Sequence, residues 1–282
     1  MLMREIHCEE ISRAVRDLCI EANCHLPADV RGAIVKARET ERSPVGQAIL
    51  GDLEENFTFA GEKGLPICQD TGMAVVFVEL GQEVHITGGL LADAVNEGVA
   101  RGYVEGHLRC SVVGDPLRRV NTNNNTPAIL HLTLVEGDRL SITVAPKGFG
   151  SENMTALQML KPSVGPDAVV DFIVETVSSA GSNPCPPIVV GVGLGGTSEM
   201  AALLAKRALL RPLDIRNEDP FYAELEERAL TRINALGIGP QGLGGVTTAL
   251  SVCILHYGTH IAGLPCAVNI GCHVTRHAST VL

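Results

Sequence analysis

The pattern of hydrophobic and polar positions predicts helices at the start of the chain. Residues 5–24 carry apolar side chains at spacings of three and four, as an amphipathic helix does. Two more helices are predicted over 28–40 and from 43 toward 59, the second with Ser43 as its cap and Pro44 in its first turn. The first 60 residues are therefore expected to form a helical layer.

The pattern changes to strand-like runs after this layer. Residues 73–81 (MAVVFVELG) predict a buried strand, which 83–87 would extend or pair with. The remaining predicted elements are a helix from 91 to about 102–106, a hairpin over 128–146 with its turn at 136–139, helices over 166–179, 197–210 and 219–236, a buried strand over 188–196, and two or three strands within 243–277. We predict an α+β fold with mixed and antiparallel sheets flanked by helices, in one domain spanning 1–282.

Composition narrows the class of protein. A chain of 282 residues that is 45% hydrophobic can bury a large core. A net charge of −10, with no Trp and three Tyr, disfavours a nucleic-acid groove, which needs a basic stripe and stacking aromatic rings. We find no apolar run of membrane-spanning length and no signal peptide pattern in 1–24, so we expect a cytoplasmic protein with no membrane segment.

The chain has nine cysteines and no CxxC pair. In a reducing compartment such cysteines are buried thiols or metal ligands more often than disulfides. Three of them share a setting, because each follows an apolar run in a loop stiffened by Pro or Gly: Cys68, Cys185 and Cys272. Three thiolates without a fourth are the ligand set of a cubane iron–sulfur cluster with one open iron, and structural thiols are the alternative that spacing leaves open.

The stretch LPICQDTG (65–72) is the clearest candidate site. It presents Cys68, Gln69 and Asp70 in a turn bounded by Pro66 and Gly72, so a thiol, an amide and a carboxylate lie side by side. Taken alone, the octapeptide could also be a free cysteine beside a turn-capping aspartate. Such a turn is well suited to metal chemistry.

Two other patterns are weaker. Gly191, Gly193 and Gly196 match GxGxxG between a strand and a helix, but the charged, Pro-containing segment after 210 does not continue as a nucleotide-binding unit. We interpret these glycines as permitting close packing of strand and helix. His256 and His260 have the spacing of zinc ligands on a helix but lie in a strand-like stretch, which disfavours a zinc hydrolase.

Several motifs together resemble one family, the α subunit of the class I, iron–sulfur-dependent fumarases and L-tartrate dehydratases. The motifs, in order, are ICQDTG (67–72), LRCSVVGDPLRRVNTNNNTPA (108–128), KGFGSEN (147–153), NPCPP (183–187) with GGTSE (195–199), and NIGCH (269–273). The resemblance covers essentially the whole chain. ICQDTG and KGFGSEN are its most specific parts.

The resemblance implies a set of site residues. It assigns the ligands of a [4Fe-4S] cluster to Cys68, Cys185 and Cys272. It assigns substrate contacts to Gln69, Asp70, Arg109 and Gly150. Arg109 would pair with a substrate carboxylate, and Asp70 would orient the substrate or accept a proton, with turn capping as its alternative.

The resemblance also implies an activity and a partner. The expected reaction is the reversible dehydration of (S)-malate to fumarate, with conversion of L-tartrate to oxaloacetate, or use of a methylated relative such as mesaconate, as alternatives. A non-catalytic metal-binding or redox-sensing chain is a further alternative. Single-chain relatives carry an additional C-terminal domain, so we expect a separate β subunit to complete the site in a heteromer, α2β2, and the lone chain to be inactive.

Overall fold

The computed structural model describes residues 3–282, which divide into two compact units. The first unit contains the described residues up to Pro27, together with Phe57–Gly148 and Arg276–Leu282. The second unit contains Ala28–Asn56 and Phe149–Thr275. Neither unit is continuous in the chain, so each needs contacts between segments that are distant in sequence.

The elements follow in chain order. The helices are α1 (Cys8–Cys24), α2 (Ala28–Thr40), α3 (Pro44–Lys63), α4 (Leu91–Glu105), α5 (Phe149–Glu152), α6 (Gly165–Ala180), α7 (Ser198–Ala208) and α8 (Pro220–Asn234). The strands are β1 (Arg4–His7), β2 (Met73–Gly81), β3 (Val84–Thr87), β4 (Ile129–Val135), β5 (Leu140–Lys147), β6 (Ala156–Leu160), β7 (Ile188–Gly196), β8 (Ala249–Thr259), β9 (Leu264–Gly271) and β10 (Ala278–Val281).

The first unit is built on a sheet of order β10-β5-β2-β4. Helices α1 and α4 pack together and cover one face of this sheet, because their apolar stripes face the inward side chains of β2 and β5. The core between these layers includes Val15, Val99, Val76 and Ile142, all fully buried. The largest fully buried side chain is Tyr103, on the last turn of α4.

The predicted hairpin over 128–146 is wrong. Strands β4 and β5 do not pair with each other, because β2 lies between them, parallel to β4 and antiparallel to β5. The turn at 136–139 instead crosses the end of β2, where the Gly81 amide donates to the Arg139 carbonyl at 2.9 Å. The segment 83–87 likewise does not extend β2; it forms β3, which pairs in parallel with β1.

The second unit is built on a sheet of order β6-β9-β7-β8, with β7 parallel to β8 and antiparallel to β9. Helices α6 and α8 pack with the apolar cluster of this sheet, and α7 packs closely on β7. A Cβ added at Gly191 would lie 2.2 Å from the Ala205 carbonyl oxygen, and one at Gly193 would lie 2.0 Å from that of Ala201. Close packing of strand and helix is therefore what these glycines serve, as the sequence indicated.

Most predicted elements are confirmed. The strands over 73–81 and 188–196 have the predicted bounds, and the α+β fold with mixed sheets and N-terminal helices is as expected. The N-terminal helices are divided between the units, with α1 in the first and α2 in the second. Strands β1, β6 and β10 were not predicted, and α1 begins at Cys8 because His7 caps it.

Among residues 3–282, no helix combines the length and apolar character needed to cross a membrane.

A buried carboxylate stabilises the second unit away from its cysteines. Glu41 is 2% exposed and accepts backbone N–H groups of Arg42, Ser43, Val246 and Thr247 at 2.8–3.1 Å. Burial alone would raise the pKa of this carboxyl, but the backbone donors outweigh burial and lower the pKa to about 2. Glu41 thus fixes the start of α3 to the segment before β8.

Candidate functional site

The turn that follows Ile67 in the first unit is closed by its own polar groups. The Asp70 carboxylate oxygen Oδ1 accepts the Gly72 amide at 3.0 Å, and the Asp70 amide donates to the Cys68 sulfur at 3.4 Å. These two contacts fix the backbone of the turn beside the Cys68 sulfur. Cys68 and Asp70 are half-buried and Gln69 is exposed, so all three side chains can reach a ligand.

Side chains from distant parts of the first unit hold the carbonyl groups of this turn. The Tyr103 hydroxyl donates to the Thr71 carbonyl at 2.7 Å, and the Asn125 amide donates to the Gly72 carbonyl at 3.0 Å. The Arg276 guanidinium donates to the Asp70 carbonyl at 2.5 Å. The turn is therefore a rigid platform, anchored from behind.

The same turn packs on the start of KGFGSEN. Gly72 has a φ of +72°, and a Cβ at this position would lie 2.6 Å from the Lys147 carbonyl carbon, so only glycine fits. A Cβ at Gly148 would lie 3.1 Å from Oδ2 of Asp70. The first glycine of the motif thus borders the Asp70 carboxylate within the first unit.

Arg109 is attached directly to this platform. The Thr71 hydroxyl donates to the Arg109 carbonyl at 3.0 Å, which fixes the backbone of Arg109 beside the turn. Its side chain is exposed, and within residues 3–282 its guanidinium has no ion pair or hydrogen bond. A planar guanidinium in this state is available to bind a carboxylate with two hydrogen bonds.

The second unit carries Cys185 on the Pro-rich loop that precedes β7. Cys185 has a φ of +54° and its thiol is exposed. Its carbonyl oxygen accepts the His273 amide at 3.3 Å and lies 3.1 Å from His273 Nδ1. The carbonyl of Pro186, the residue after Cys185, accepts two hydrogen bonds from Gln241. The backbone amide donates at 2.8 Å and the side-chain amide at 2.7 Å.

Cys272 lies on the loop that contains His273, directly after β9. Its carbonyl accepts the Thr275 amide at 2.9 Å and the Thr275 hydroxyl at 2.7 Å, which closes a tight turn. Because His273 also bonds the Cys185 loop, the structure brings the loops of Cys185 and Cys272 together. Gly150 is exposed and borders the Cys185 loop, since a Cβ there would lie 3.6 Å from the Asn183 carbonyl oxygen.

A polar network joins KGFGSEN to β9, the strand that leads to Cys272. Glu152 of KGFGSEN forms an ion pair with Lys206 of α7 and accepts the side-chain amide of Asn269 at 2.9 Å. Asn269 also donates to the Thr155 hydroxyl at 2.6 Å. Burial lowers the pKa of Lys206, against the effect of Glu152. This network holds the short helix α5 against β9.

The other six cysteines differ from the three loop cysteines. Burial raises the pKa of each: Cys8, Cys19, Cys24, Cys110, Cys253 and Cys266. For Cys19 and Cys266, which are fully buried, the pKa rises to about 12. A thiol in this state stays protonated and packs as a small apolar side chain.

The three proposed ligands are divided between the units. Cys68 belongs to the first unit, whereas Cys185 and Cys272 belong to the second. Within residues 3–282, no group of three or more His, Cys, Asp or Glu side chains could hold a single metal ion. The thiolates of a cubane cluster each bind a different iron, so a cluster does not need ligands that converge on one point. Within each unit, accessible thiols in anchored loops are donors of the kind that a cubane cluster takes.

Sequence reasoning missed the residues that hold these loops. Tyr103, Asn125, Arg276 and Gln241 act through long-range contacts that no local pattern reveals. The one sequence signal was the run of asparagines before 126, because Asn125 adopts a φ of +60°, a conformation that asparagine tolerates well. Arg276 follows Cys272 by four residues but has no spacing that marks it.

Comparison with known proteins defines the class. The sequence model of the family described as Fumarate hydratase (Fumerase) matches residues 12–281. The chain therefore belongs to the fumarate hydratase family and is a hydro-lyase.

Named proteins in this family are similar to the chain over most of their length. A protein of Methanocaldococcus jannaschii, provisionally named L(+)-tartrate dehydratase subunit alpha, is 42% identical over 95% of this chain and 96% of its own length. The L(+)-tartrate dehydratase subunit alpha of Escherichia coli strain UTI89 is 32% identical over 96% of this chain and 90% of its own. The protein of that name from strain K12 is 31% identical over 97% of this chain and 91% of its own.

Proposed function

We propose that this chain is the α subunit of an iron–sulfur hydro-lyase that reversibly removes water from a 2-hydroxy dicarboxylate, with (S)-malate and fumarate as the first pair to test. Cys68, Cys185 and Cys272 would hold a [4Fe-4S] cluster. Gln69, Asp70, Arg109 and Gly150 would contact the substrate, with Asp70 also a candidate catalytic residue.

The observation that carries the proposal is the hydrogen bond between the Thr71 hydroxyl and the Arg109 carbonyl. It fixes the backbone of Arg109, whose guanidinium has no partner within residues 3–282, beside the turn that presents Cys68, Gln69 and Asp70. Dehydration of a 2-hydroxy dicarboxylate needs a cation that binds a carboxylate next to the group that activates the hydroxyl. The first unit supports this requirement with residues from one anchored platform.

Each residue of the platform has a separate task. When bound, the cluster would supply a Lewis-acidic iron for the substrate hydroxyl. Arg109 would hold one carboxylate of the substrate through two parallel hydrogen bonds. The exposed Gln69 amide would orient a substrate oxygen. The Gly72 amide holds Oδ1 of Asp70 in place, and the carboxylate would accept or direct a proton.

We infer that a separate β subunit completes the site. The relatives carry the name subunit alpha and match this chain over at least 90% of their length, which supports an α-type chain that works with a second one. The β subunit would supply the remaining carboxylate-binding groups and the base that removes the carbon-bound proton. We propose an α2β2 heteromer in the cytoplasm, in which residues 1–282 form the α-type domain.

L-tartrate is the second candidate substrate, and the names of the relatives favour it. Tartrate differs from malate by a hydroxyl on the carbon that loses the proton, and its dehydration gives the enol of oxaloacetate. The tasks of Arg109 and Asp70 are the same for both substrates. The choice therefore depends on groups that contact this second hydroxyl.

The test is anaerobic reconstitution of the chain, with and without the partner subunit, using iron and sulfide. Iron and sulfide are counted per chain, and the αβ enzyme is assayed with malate, fumarate and L-tartrate. We expect about four irons per chain, loss of the cluster in Cys68→Ser, Cys185→Ser and Cys272→Ser, and activity only with both subunits.

Cys8→Ser is the matched control, because Cys8 is a half-buried thiol outside the proposed ligand set. Its iron content should equal that of the wild type. Iron bound through a different set of cysteines would exclude the ligand assignment. Full activity of the lone chain would exclude the β subunit, and a bound cluster without turnover of any of the three acids would favour a redox-sensing role.

A further inference from the structure

Arg276 is a buried cation with few partners. It is 4% exposed, and one nitrogen, Nη2, donates to the Asp70 carbonyl. Two other buried nitrogens, Nε and Nη1, have no hydrogen-bond partner among residues 3–282. A guanidinium stays charged at any pH that a protein meets, and an uncompensated buried charge is strongly destabilising. This arginine therefore calls for negative charge close by.

Two groups that the Arg276 charge acts on, the Cys24 thiol and the Tyr103 hydroxyl, do not supply that negative charge. Burial raises the pKa of both groups and keeps them neutral. Its one acceptor is the Asp70 carbonyl, which is two residues from Cys68. Arg276 is thus directed at the back of the turn that presents the proposed first ligand.

We propose that Arg276 is a positioning residue for the iron–sulfur site. It would hold the Cys68 turn through the Asp70 carbonyl and place a buried positive charge near the thiolate-ligated centre. The inference rests on the proposed function, because the thiolate centre belongs to it. Bound thiolates and sulfides are negative, so a buried cation behind their loop stabilises the loaded state and makes the centre easier to reduce.

Two replacements separate the charge of Arg276 from its hydrogen bond. Arg276→Lys keeps a positive charge and a donor, whereas Arg276→Gln keeps a donor without the charge. Tyr103→Phe is the matched control, since it removes a neutral donor to the same turn, at the Thr71 carbonyl. All three are compared with the wild type as the reconstituted αβ enzyme under anaerobic conditions.

Three quantities are measured: iron and sulfide per chain, the rate of iron loss to a ferrous chelator, and the reduction potential of the cluster. We expect Arg276→Gln to lose iron roughly tenfold faster than the wild type and to have a lower reduction potential. Arg276→Lys should lose iron at a rate within about threefold of that of the wild type and have a potential close to the wild-type value. Tyr103→Phe should leave the potential unchanged.

The outcomes separate the two proposals. If the wild type itself binds no cluster, the proposed function fails, and this inference fails with it. If the wild type binds four irons and Arg276→Gln matches it in iron loss and potential, only the role of Arg276 is overturned. Equal defects in Arg276→Lys and Arg276→Gln would also overturn it, because charge would not be the cause. Should Arg276→Gln not fold, the potential of Arg276→Lys decides: a value equal to that of the wild type supports a role for the charge, and a lower value overturns it.

Discussion

The Cys68 turn and the Cys185 loop present similar thiols but are held in different ways. The Cys68 turn is anchored by buried side chains from α4, from the asparagine-rich loop and from the segment before β10. The Cys185 loop is held by Gln241 and His273, which are half-buried and themselves lie in loops. The first arrangement couples a site to the core of its unit, and the second couples loops to each other.

This difference has a consequence for stability. Removing an anchor of the Cys68 turn leaves a buried carbonyl without a donor, which costs more than breaking a solvent-accessible bond. The second unit does contain a buried anchor of the first kind, Glu41, but it lies at the start of α3 and not at a cysteine loop. Four substitutions test this contrast, in order of expected effect.

Glu41→Gln should destabilise the second unit by about 3 kcal/mol at pH 7, because an amide nitrogen would face backbone N–H donors. The pKa of Glu41 is lowered to about 2 from 4.5, so its contribution is complete above pH 4.5 and is lost as the pH falls toward 2. Urea unfolding at pH 7 and pH 3 measures both effects. Glu39→Gln, on the exposed face of α2, should change neither, and an unchanged pH dependence in Glu41→Gln would contradict the assignment.

Arg109→Met should lower kcat/KM of the αβ enzyme about 100-fold, since a lost bidentate ion pair costs close to 2.7 kcal/mol. Arg109→Lys should recover part of this loss, because it restores the charge without the fork. Steady-state kinetics with the preferred dicarboxylate is the measurement. Arg118→Met, an exposed arginine in the same loop, serves as the control; a comparable loss there would show that loop charge in general is responsible.

Tyr103→Phe should lower the free energy of unfolding of the first unit by about 1–2 kcal/mol, because the Thr71 carbonyl loses a buried donor. Thermal and urea unfolding report the change. Tyr257→Phe is the matched control, since Tyr257 is 60% exposed, so its effect should stay within about 0.5 kcal/mol. Equal effects of the two variants would mean that the turn is not anchored from within.

Gln241→Ala should have the smallest effect on stability, about 0.5–1 kcal/mol, because the Gln241 backbone amide still donates to the Pro186 carbonyl when the side chain is lost. The Cys185 thiol should become more reactive, since its loop loses a support. Alkylation of Cys185 in the iron-free chain, followed by mass spectrometry, should be several-fold faster than in the wild type. Gln158→Ala, an exposed glutamine on β6, should alkylate at the wild-type rate.

The elements that sequence predicted best are those whose pattern is complete within the element. Strands β2 and β7 are mostly apolar runs ended by glycine, so their bounds follow from local composition. The prediction of a hairpin over 128–146 was wrong. Alternation and a turn show only that two strands follow each other in sequence, and in the sheet β2 lies between β4 and β5. Pairing partners are a property of the whole sheet.

The site divides in the same way. Sequence located the turn at 65–72 because Pro66, Asp70 and Gly72 have conformational preferences that act locally. It could not locate Arg276, whose contact with Asp70 joins residues 206 positions apart. Sequence therefore indicates which loops carry chemistry, and the structure is needed to find what holds them.

The 206-residue separation between Asp70 and Arg276 also bears on biosynthesis. A nascent chain that has been translated through β2 already contains Cys68. Its turn still lacks the Arg276 guanidinium that donates to the Asp70 carbonyl in the folded protein. That support arrives only with translation of the segment after Thr275. Insertion of the proposed cluster would then follow translation of nearly the whole chain, because a shorter nascent chain has a Cys68 turn without this support.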